Sequence, residues 1–267
     1  MSVTGASKPG PTAEVLRSIT AASKRTGVSF SYLLNQAKIE SGFDPTARAS
    51  TSSASGLYQF TRQTWLATLD AHGAGHGLSW AADAIKTTPD GIFTVADPEA
   101  RRAILELRND PDLSAAMAAE LASENGRHLN QVLGREPTAA DLSLAHFLGA
   151  DGAARFLTAM GATPEASAAP LFPEAAAANR PVFFDRSGAP LSLGEIHARF
   201  EQRQIEKAPV ATTPPEPAMV TRQSFRSERG PSSLAEGLRD IEPMPGRLSL
   251  SFAQAAYRRL SALGDGA

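Results

Sequence analysis

Apolar residues recur at the spacing of an α-helix from residue 12 to about residue 205, and this period constrains the fold more than any other feature. The first such stretch, residues 12–26, places Val15 and Ile19 on one face and stops at Gly27, a residue typical of helix C-termini. Few segments show the alternation of Val, Ile or Thr with polar residues that indicates a β-strand. The pattern therefore predicts an all-α domain over residues 12–205.

Helix start and stop residues divide this domain. Asp97 and Asp110 each stand before a first-turn Pro, and Thr138 with Asp141 matches a capping box. The glycine-spaced stretch from Gly73 to Thr94 is expected to be irregular around one short helix, and Pro181 to Phe184 to be extended. Further helices are predicted at residues 29–41, 61–73, 80–85, 97 onward, 110–134, 138–149, 151–160 and 192–205. Four aromatic residues are expected in the core, with the lining of a glycan groove as the alternative for any of them: Trp65, Trp80, Phe147 and Phe156.

The two ends of the chain differ from this domain. Residues 1–11 are expected to be flexible, and five prolines between residues 208 and 231 predict a disordered linker over 206–248. Residues 249–267 can form a terminal helix. Because the linker makes up most of the C-terminal extension, that extension is expected to be largely disordered. Such a tail suits a docking device for a flagellar, secretion-system or phage-tail protein; the alternative is a frayed terminus with no partner.

Composition excludes several classes of protein. With 26 basic and 28 acidic side chains and a net charge of −2, the chain does not resemble a nucleic-acid-binding protein. It contains no cysteine, which removes disulfides and thiolate ligands. No apolar run reaches the roughly 18 residues of a membrane span, and no signal peptide is visible. The only close pair of histidines, His72 and His76, is separated by Gly-Ala-Gly, so that neither a metal nor a cofactor is expected.

Glu40 lies where the second predicted helix ends, in the sequence Lys-Ile-Glu-Ser-Gly-Phe-Asp-Pro. A carboxyl at a helix C-terminus meets the negative end of the helix dipole, and apolar neighbours such as Ile39 and Phe43 further disfavour its ionised form. These surroundings suit a general acid. The alternative is an ordinary solvated residue at a helix end.

Three segments in this order resemble the signature blocks of soluble lytic transglycosylase domains, which are goose-lysozyme-like: Glu-Ser-Gly-Phe-Asp-Pro at 40–45, Ser-Gly-Leu-Tyr-Gln-Phe-Thr at 55–61 and Ala-His-Phe-Leu-Gly at 145–149. The similarity covers roughly residues 28–160, about half of the chain. The family's third block reads Ala-Tyr-Asn-x-Gly, and its Tyr is generally taken to hydrogen-bond the catalytic Glu. His146 can replace that Tyr as a donor, whereas Phe147 lacks the amide of Asn.

The resemblance implies a lytic transglycosylase that cleaves the β-1,4 bond between MurNAc and GlcNAc in peptidoglycan. Glu40 would be its sole acid and base, and the product would be a 1,6-anhydro sugar. Asp44, the nearest other carboxylate, is explained by the turn that it forms before Pro45. The alternatives are a hydrolytic muramidase on the same fold, and a catalytically weak glycan-binding or scaffold module of a flagellar, secretion or phage assembly.

Four residues accompany Glu40 as candidate substrate contacts: Ser41, Tyr58, Gln59 and His146. Ser41 either orients the following loop or contacts Glu40. The amide of Gln59 can both donate to and accept from sugar hydroxyls, and Tyr58 either stacks on a sugar or packs in the core. The substrate implied by the resemblance places the protein in the periplasm, the cell envelope or a virion.

Overall fold

The computed structural model describes residues 10–50 and 52–206, and helices dominate this part of the chain. The N-terminus up to residue 9, the linker beyond residue 206 and the predicted terminal helix lie outside the described residues. Within those limits, no helix is both long and apolar enough to cross a lipid bilayer. The helices are α1 (Ala13–Thr26), α2 (Phe30–Ser41), α3 (Arg62–His72), α4 (Ser79–Ala84), α5 (Pro98–Glu106), α6 (Pro111–Leu133), α7 (Ala139–Leu148), α8 (Ala150–Ala162), α9 (Pro173–Ala178), α10 (Arg180–Phe183) and α11 (Leu193–Glu206). The prediction of a mainly helical domain is confirmed.

Capping side chains start several helices at the positions that the sequence predicts. Asp97 and Asp110 accept hydrogen bonds from backbone N–H groups in the first turns of α5 and α6. Thr138 and Asp141 form a reciprocal capping box at the start of α7. Each such cap satisfies a donor that the helix leaves unpaired and stabilises the helix by about 1 kcal/mol.

A β-hairpin occupies part of the stretch that was expected to be irregular. Strands β1 (Ile85–Thr87) and β2 (Phe93–Val95) pair antiparallel, with Ile85 opposite Val95. The side chain of Gln63 on α3 both donates to and accepts from the backbone of the first residue of β2, at 3.0 and 2.9 Å. The hairpin therefore depends on a contact with a distant helix as well as on its own two short strands.

Two predictions about local structure are wrong. The segment expected to be extended forms α10, because Pro181 occupies the first turn, where a helix needs no N–H, and Val182 and Phe183 are buried in the core. Trp80, expected in the core, lies on α4 with 48% of its surface exposed.

Two apolar clusters form the core, and α6 contributes to both. The first contains the inner faces of α1, α2 and α3, including Trp65, whose indole N–H donates to the carbonyl of Ile104 at 2.8 Å. The second lies among α7 to α11 and includes Phe147 and Phe156, so the expected core positions of Trp65, Phe147 and Phe156 are confirmed. Since α2 belongs to the first cluster and α7 to the second, residues that join these two helices lie between the clusters.

Candidate active site

Helix α2 places Glu40 in its last turn, with the carboxyl facing inward and 3% of the residue exposed. The turn that follows is tightly closed. Gly42 has φ 65° and donates to the carbonyl of Lys38 at 3.1 Å, and Phe43 donates to the carbonyl of Ala37 at 3.3 Å. Phe43 itself has a φ of 72°, an uncommon conformation for an aromatic residue. Because Glu40 is buried, the alternative of a solvated residue at position 40 is wrong.

His146 on α7 contacts Glu40, and the distance between its Nε2 and the Oε1 of Glu40 is 3.0 Å. The two residues are 106 positions apart in sequence. An imidazole N–H at Nε2 would donate to the carboxylate, whereas an unprotonated Nε2 would accept from the carboxylic acid. The geometry therefore allows the contact to persist whether or not Glu40 carries the proton.

Ser41 joins the end of α2 to the loop between α2 and α3, residues 42–61, which carries the second sequence block. Its Oγ lies 3.1 Å from the carbonyl oxygen of Ala37 and 2.8 Å from that of Leu57, so that the hydroxyl donates within the helix or across to the loop. These contacts correspond to the first of the two roles considered for Ser41, the orientation of the loop.

Tyr58 and Gln59 are both 3% exposed, and their polar groups bond to the protein's own backbone. The Tyr58 hydroxyl donates to the carbonyl of Leu33 at 3.0 Å. The Gln59 amide donates to the carbonyls of Ala47 and Gly56 at 2.9 and 2.7 Å. Through these hydrogen bonds the two side chains hold the loop in place. Their binding to substrate remains a prediction.

Arg108 holds the same loop from outside and was not recognised from the sequence. Its Nη1 donates to the carbonyls of Ser53 and Phe60 at 2.7 and 3.1 Å. Burial, followed by the nearby charge of Arg62, lowers the pKa of Arg108 to about 10, which still leaves it charged at neutral pH. Gly56 packs directly against the backbone of Arg108, so that the conformation of the loop depends on the segment after α5.

A cavity of about 20 Å³ lies among α2, α6, α7 and the loop that carries Tyr58. Its polar lining consists of Tyr32, Gln36, Tyr58, Asn125 and His146. The space is on the scale of one water molecule and is smaller than a sugar ring. Burial, and then the negative charge of Glu40, raises the pKa of Tyr32, which keeps this phenol neutral.

Phe147, which replaces the Asn of the family pattern, packs in the second apolar cluster. Its ring centroid lies 6.3 Å from that of Phe183 and 5.8 Å from that of Phe200. The side chain at this position therefore points toward α10 and α11. An amide there would contact aromatic rings.

The remaining titratable residues singled out in the sequence have partners within the protein. Asp44 Oδ1 accepts from both the N–H and the hydroxyl of Thr46, each at 2.8 Å, as the turn interpretation predicts. His72 and His76 approach Glu120 at 3.8 and 2.8 Å. Across the ranges that the structure describes, no group of three or more His, Cys, Asp and Glu residues is arranged to hold a metal ion.

The geometry thus brings the first and third sequence blocks together at Glu40 and His146, and bonds the second block to the end of α2. Comparison of the chain with models of known protein families finds no match.

Proposed function

We propose that this protein is a peptidoglycan lytic transglycosylase with a goose-type lysozyme-like fold, and that Glu40 is its sole acid and base. The observation that carries the proposal is the contact between the buried carboxyl of Glu40 and His146. These residues come from two of the three blocks that resemble the family. The second block adds support, because Ser41 bonds its backbone at Leu57.

In the proposed reaction, protonated Glu40 gives its proton to the glycosidic oxygen while the bond between that oxygen and C1 of MurNAc breaks. The carboxylate then takes the proton of the C6 hydroxyl of the same MurNAc. The C6 oxygen bonds to C1 and closes the 1,6-anhydro ring. Glu40 ends protonated, as it began, and no water is consumed.

Two features of the site suit this reaction. The imidazole of His146 can stay bonded to Glu40 through the proton transfers, since it can accept from the acid or donate to the carboxylate. The sugar's own C6 hydroxyl supplies the nucleophile, so that no second carboxylate is required, and Asp44, the nearest other carboxylate in the sequence, is bonded to Thr46 in its turn. A hydrolytic muramidase on the same fold would need a water molecule placed at C1.

A catalytically weak glycan-binding or scaffold module is the second candidate, and one observation favours its scaffold form. Tyr58 and Gln59, expected to hold the substrate, use their polar groups on the carbonyls of Leu33, Ala47 and Gly56. A site whose amide and hydroxyl are already bonded must rearrange before it can hold a sugar through them.

Mass spectrometry of the products distinguishes these functions. Purified peptidoglycan is incubated with the wild-type chain, and the soluble fragments are analysed. Fragments that end in 1,6-anhydro-MurNAc are expected. Reducing MurNAc ends would instead indicate a muramidase, and binding to the wall without release of fragments would indicate the glycan-binding module.

The location and partners of the protein belong to the same proposal. Peptidoglycan lies in the cell envelope, so we place the enzyme in the periplasm, the envelope or a virion. The segment after residue 206 would dock it to a flagellar, secretion-system or phage-tail protein. Removal of residues 207–267 should leave the cleavage of isolated walls unchanged and abolish co-purification with that assembly.

A further inference from the structure

Buried hydrogen bonds join α2 and α7 one helical turn away from the contact between Glu40 and His146. Gln36 precedes Glu40 by four residues on α2, and Ser143 precedes His146 by three residues on α7, so that each pair shares a helix face. The Gln36 amide donates to the Ser143 hydroxyl at 3.0 Å. The two helices are therefore linked by side chains at two successive levels.

Gln204, in the last turn of α11, bonds to both of these helices. Its Nε2 donates to the Ser143 hydroxyl at 2.7 Å. Its Oε1 and its backbone carbonyl accept from the Nδ2 of Asn35 on α2, at 3.3 and 3.0 Å. One side chain from a third helix thus spans the two helices that carry the acid–base pair.

The hydrogen-bonding capacity of these groups makes Gln204 hard to replace. Ser143 donates to the carbonyl of Ala139 at 2.9 Å and accepts from both Gln36 and Gln204, which uses its single proton and both lone pairs. The Oδ1 of Asn35 is buried without a hydrogen-bond partner in the part of the chain that the structure describes. Gln204→Ala would remove the bond to Ser143 and the longer of the two bonds from Asn35, while the bond from Asn35 to the backbone carbonyl of residue 204 would remain. Ser143 would then lose its tie to α11, and α7 would be free to shift relative to α2.

We propose that Gln204 is a positioning residue for Glu40 and His146: by bonding Asn35 and Ser143 it sets the separation of α2 and α7, and with it the distance between the carboxyl and the imidazole. The effect of Gln204 on catalysis rests on the proposed function. Its effect on the environment of His146 is a property of the folded chain and can be measured without turnover.

Kinetics of full-length variants test the catalytic consequence. Gln204→Ala is compared with Gln131→Ala, which changes an exposed Gln on α6. On a soluble MurNAc–GlcNAc oligosaccharide we expect Gln204→Ala to lower kcat roughly tenfold with KM changed less than about twofold, because the acid is misplaced while the glycan-contacting surface is kept. Gln131→Ala should match the wild type.

Gln204→Glu supplies a conditional rescue that a purely structural role would not show. Its protonated carboxyl can donate to Ser143, whereas its carboxylate can only accept. The kcat of this variant, divided by that of the wild type at the same pH, should therefore rise as the pH falls. This variant also keeps the proposal testable if Gln204→Ala does not fold.

NMR of the histidine rings tests the geometry independently of activity. The chain has five His residues, and the signals of His146 can be assigned by their loss in His146→Gln. We expect Gln204→Ala to shift these signals and Gln131→Ala to leave them in place. If the wild type cleaves no peptidoglycan, the proposed function fails and the NMR comparison still decides the role of Gln204. Unchanged His146 signals in folded Gln204→Ala, or an unchanged kcat in an active enzyme, would overturn the proposal.

Discussion

Replacement of Gly56 by Ala tests how tightly the loop of the second sequence block is held. A Cβ atom at this position would lie 1.9 Å from the carbonyl oxygen of Arg108, where ordinary contacts begin near 3.4 Å. The position of a Cβ is fixed by the backbone of residue 56, and the carbonyl belongs to the backbone of Arg108, so no side-chain rotation can relieve this contact. Arg108 is also fixed by its hydrogen bonds to Ser53 and Phe60, on the same loop. The substitution therefore forces the loop away from the segment that supports it.

Gly188 provides a matched control for the strain of the backbone. Its φ of 85° is close to the 83° of Gly56, but a Cβ there meets no atom within 4 Å. Gly188→Ala should lower the free energy of unfolding by about 1 kcal/mol, the cost of a left-handed Ala. Gly56→Ala adds the overpacking term of about 1–3 kcal/mol, for a loss of roughly 2–4 kcal/mol.

Urea unfolding followed by tryptophan fluorescence measures both losses, since Trp65 is fully buried beside this region. We expect the loss for Gly56→Ala to exceed that for Gly188→Ala by at least about 1 kcal/mol. Equal losses would mean that the loop does not rest on the backbone of Arg108.

Two further substitutions test the packing around α7. Burial alone would raise the pKa of Asp141. The hydrogen bonds from His197 and Arg135 together outweigh this effect and hold the pKa of the carboxyl well below its usual range. With the folded-state pKa below the unfolded value, the carboxylate stabilises the fold above about pH 3.9 and this contribution is lost as the pH falls. Asp141→Asn should thus lower the free energy of unfolding by about 3 kcal/mol at pH 7 and by progressively less below about pH 4; a difference independent of pH would contradict this. Phe147→Asn introduces the Asn of the pattern that residues 145–149 resemble, but it places an amide beside the ring of Phe183, so the free energy of unfolding should fall by about 3–5 kcal/mol in urea titrations, and unchanged stability would contradict a core role.

The parts of the fold that depend on neighbouring residues could be predicted from the sequence. The caps at Asp97, Asp110 and Thr138 act within one turn, and the structure shows the helices starting there. The hairpin could not be predicted, because each strand has three residues and β2 is bonded to Gln63, some 30 positions away. Trp80 was misplaced because periodicity does not show which helix faces meet a partner.

In the candidate site, too, local features could be predicted from the sequence and contacts between distant residues could not. The end of α2 at Glu40 follows from Gly42, a local signal. The approach of His146 could be anticipated only through the resemblance, since no local rule relates residues 106 positions apart. The backbone bonds of Gln59 and the position of Gln204 were missed, because an amide that serves a sugar and one that serves a loop or a neighbouring helix look the same in sequence.

The role of Glu40 as the sole acid and base can be measured as the rate at which Glu40→Gln releases soluble fragments from purified peptidoglycan. Glu174→Gln, at an exposed position on α9, is the matched control. We expect Glu40→Gln to lose at least about 10²-fold in rate while it still unfolds cooperatively, and Glu174→Gln to keep the wild-type rate. A folded Glu40→Gln variant that releases fragments at the wild-type rate would rule out Glu40 as the acid and base.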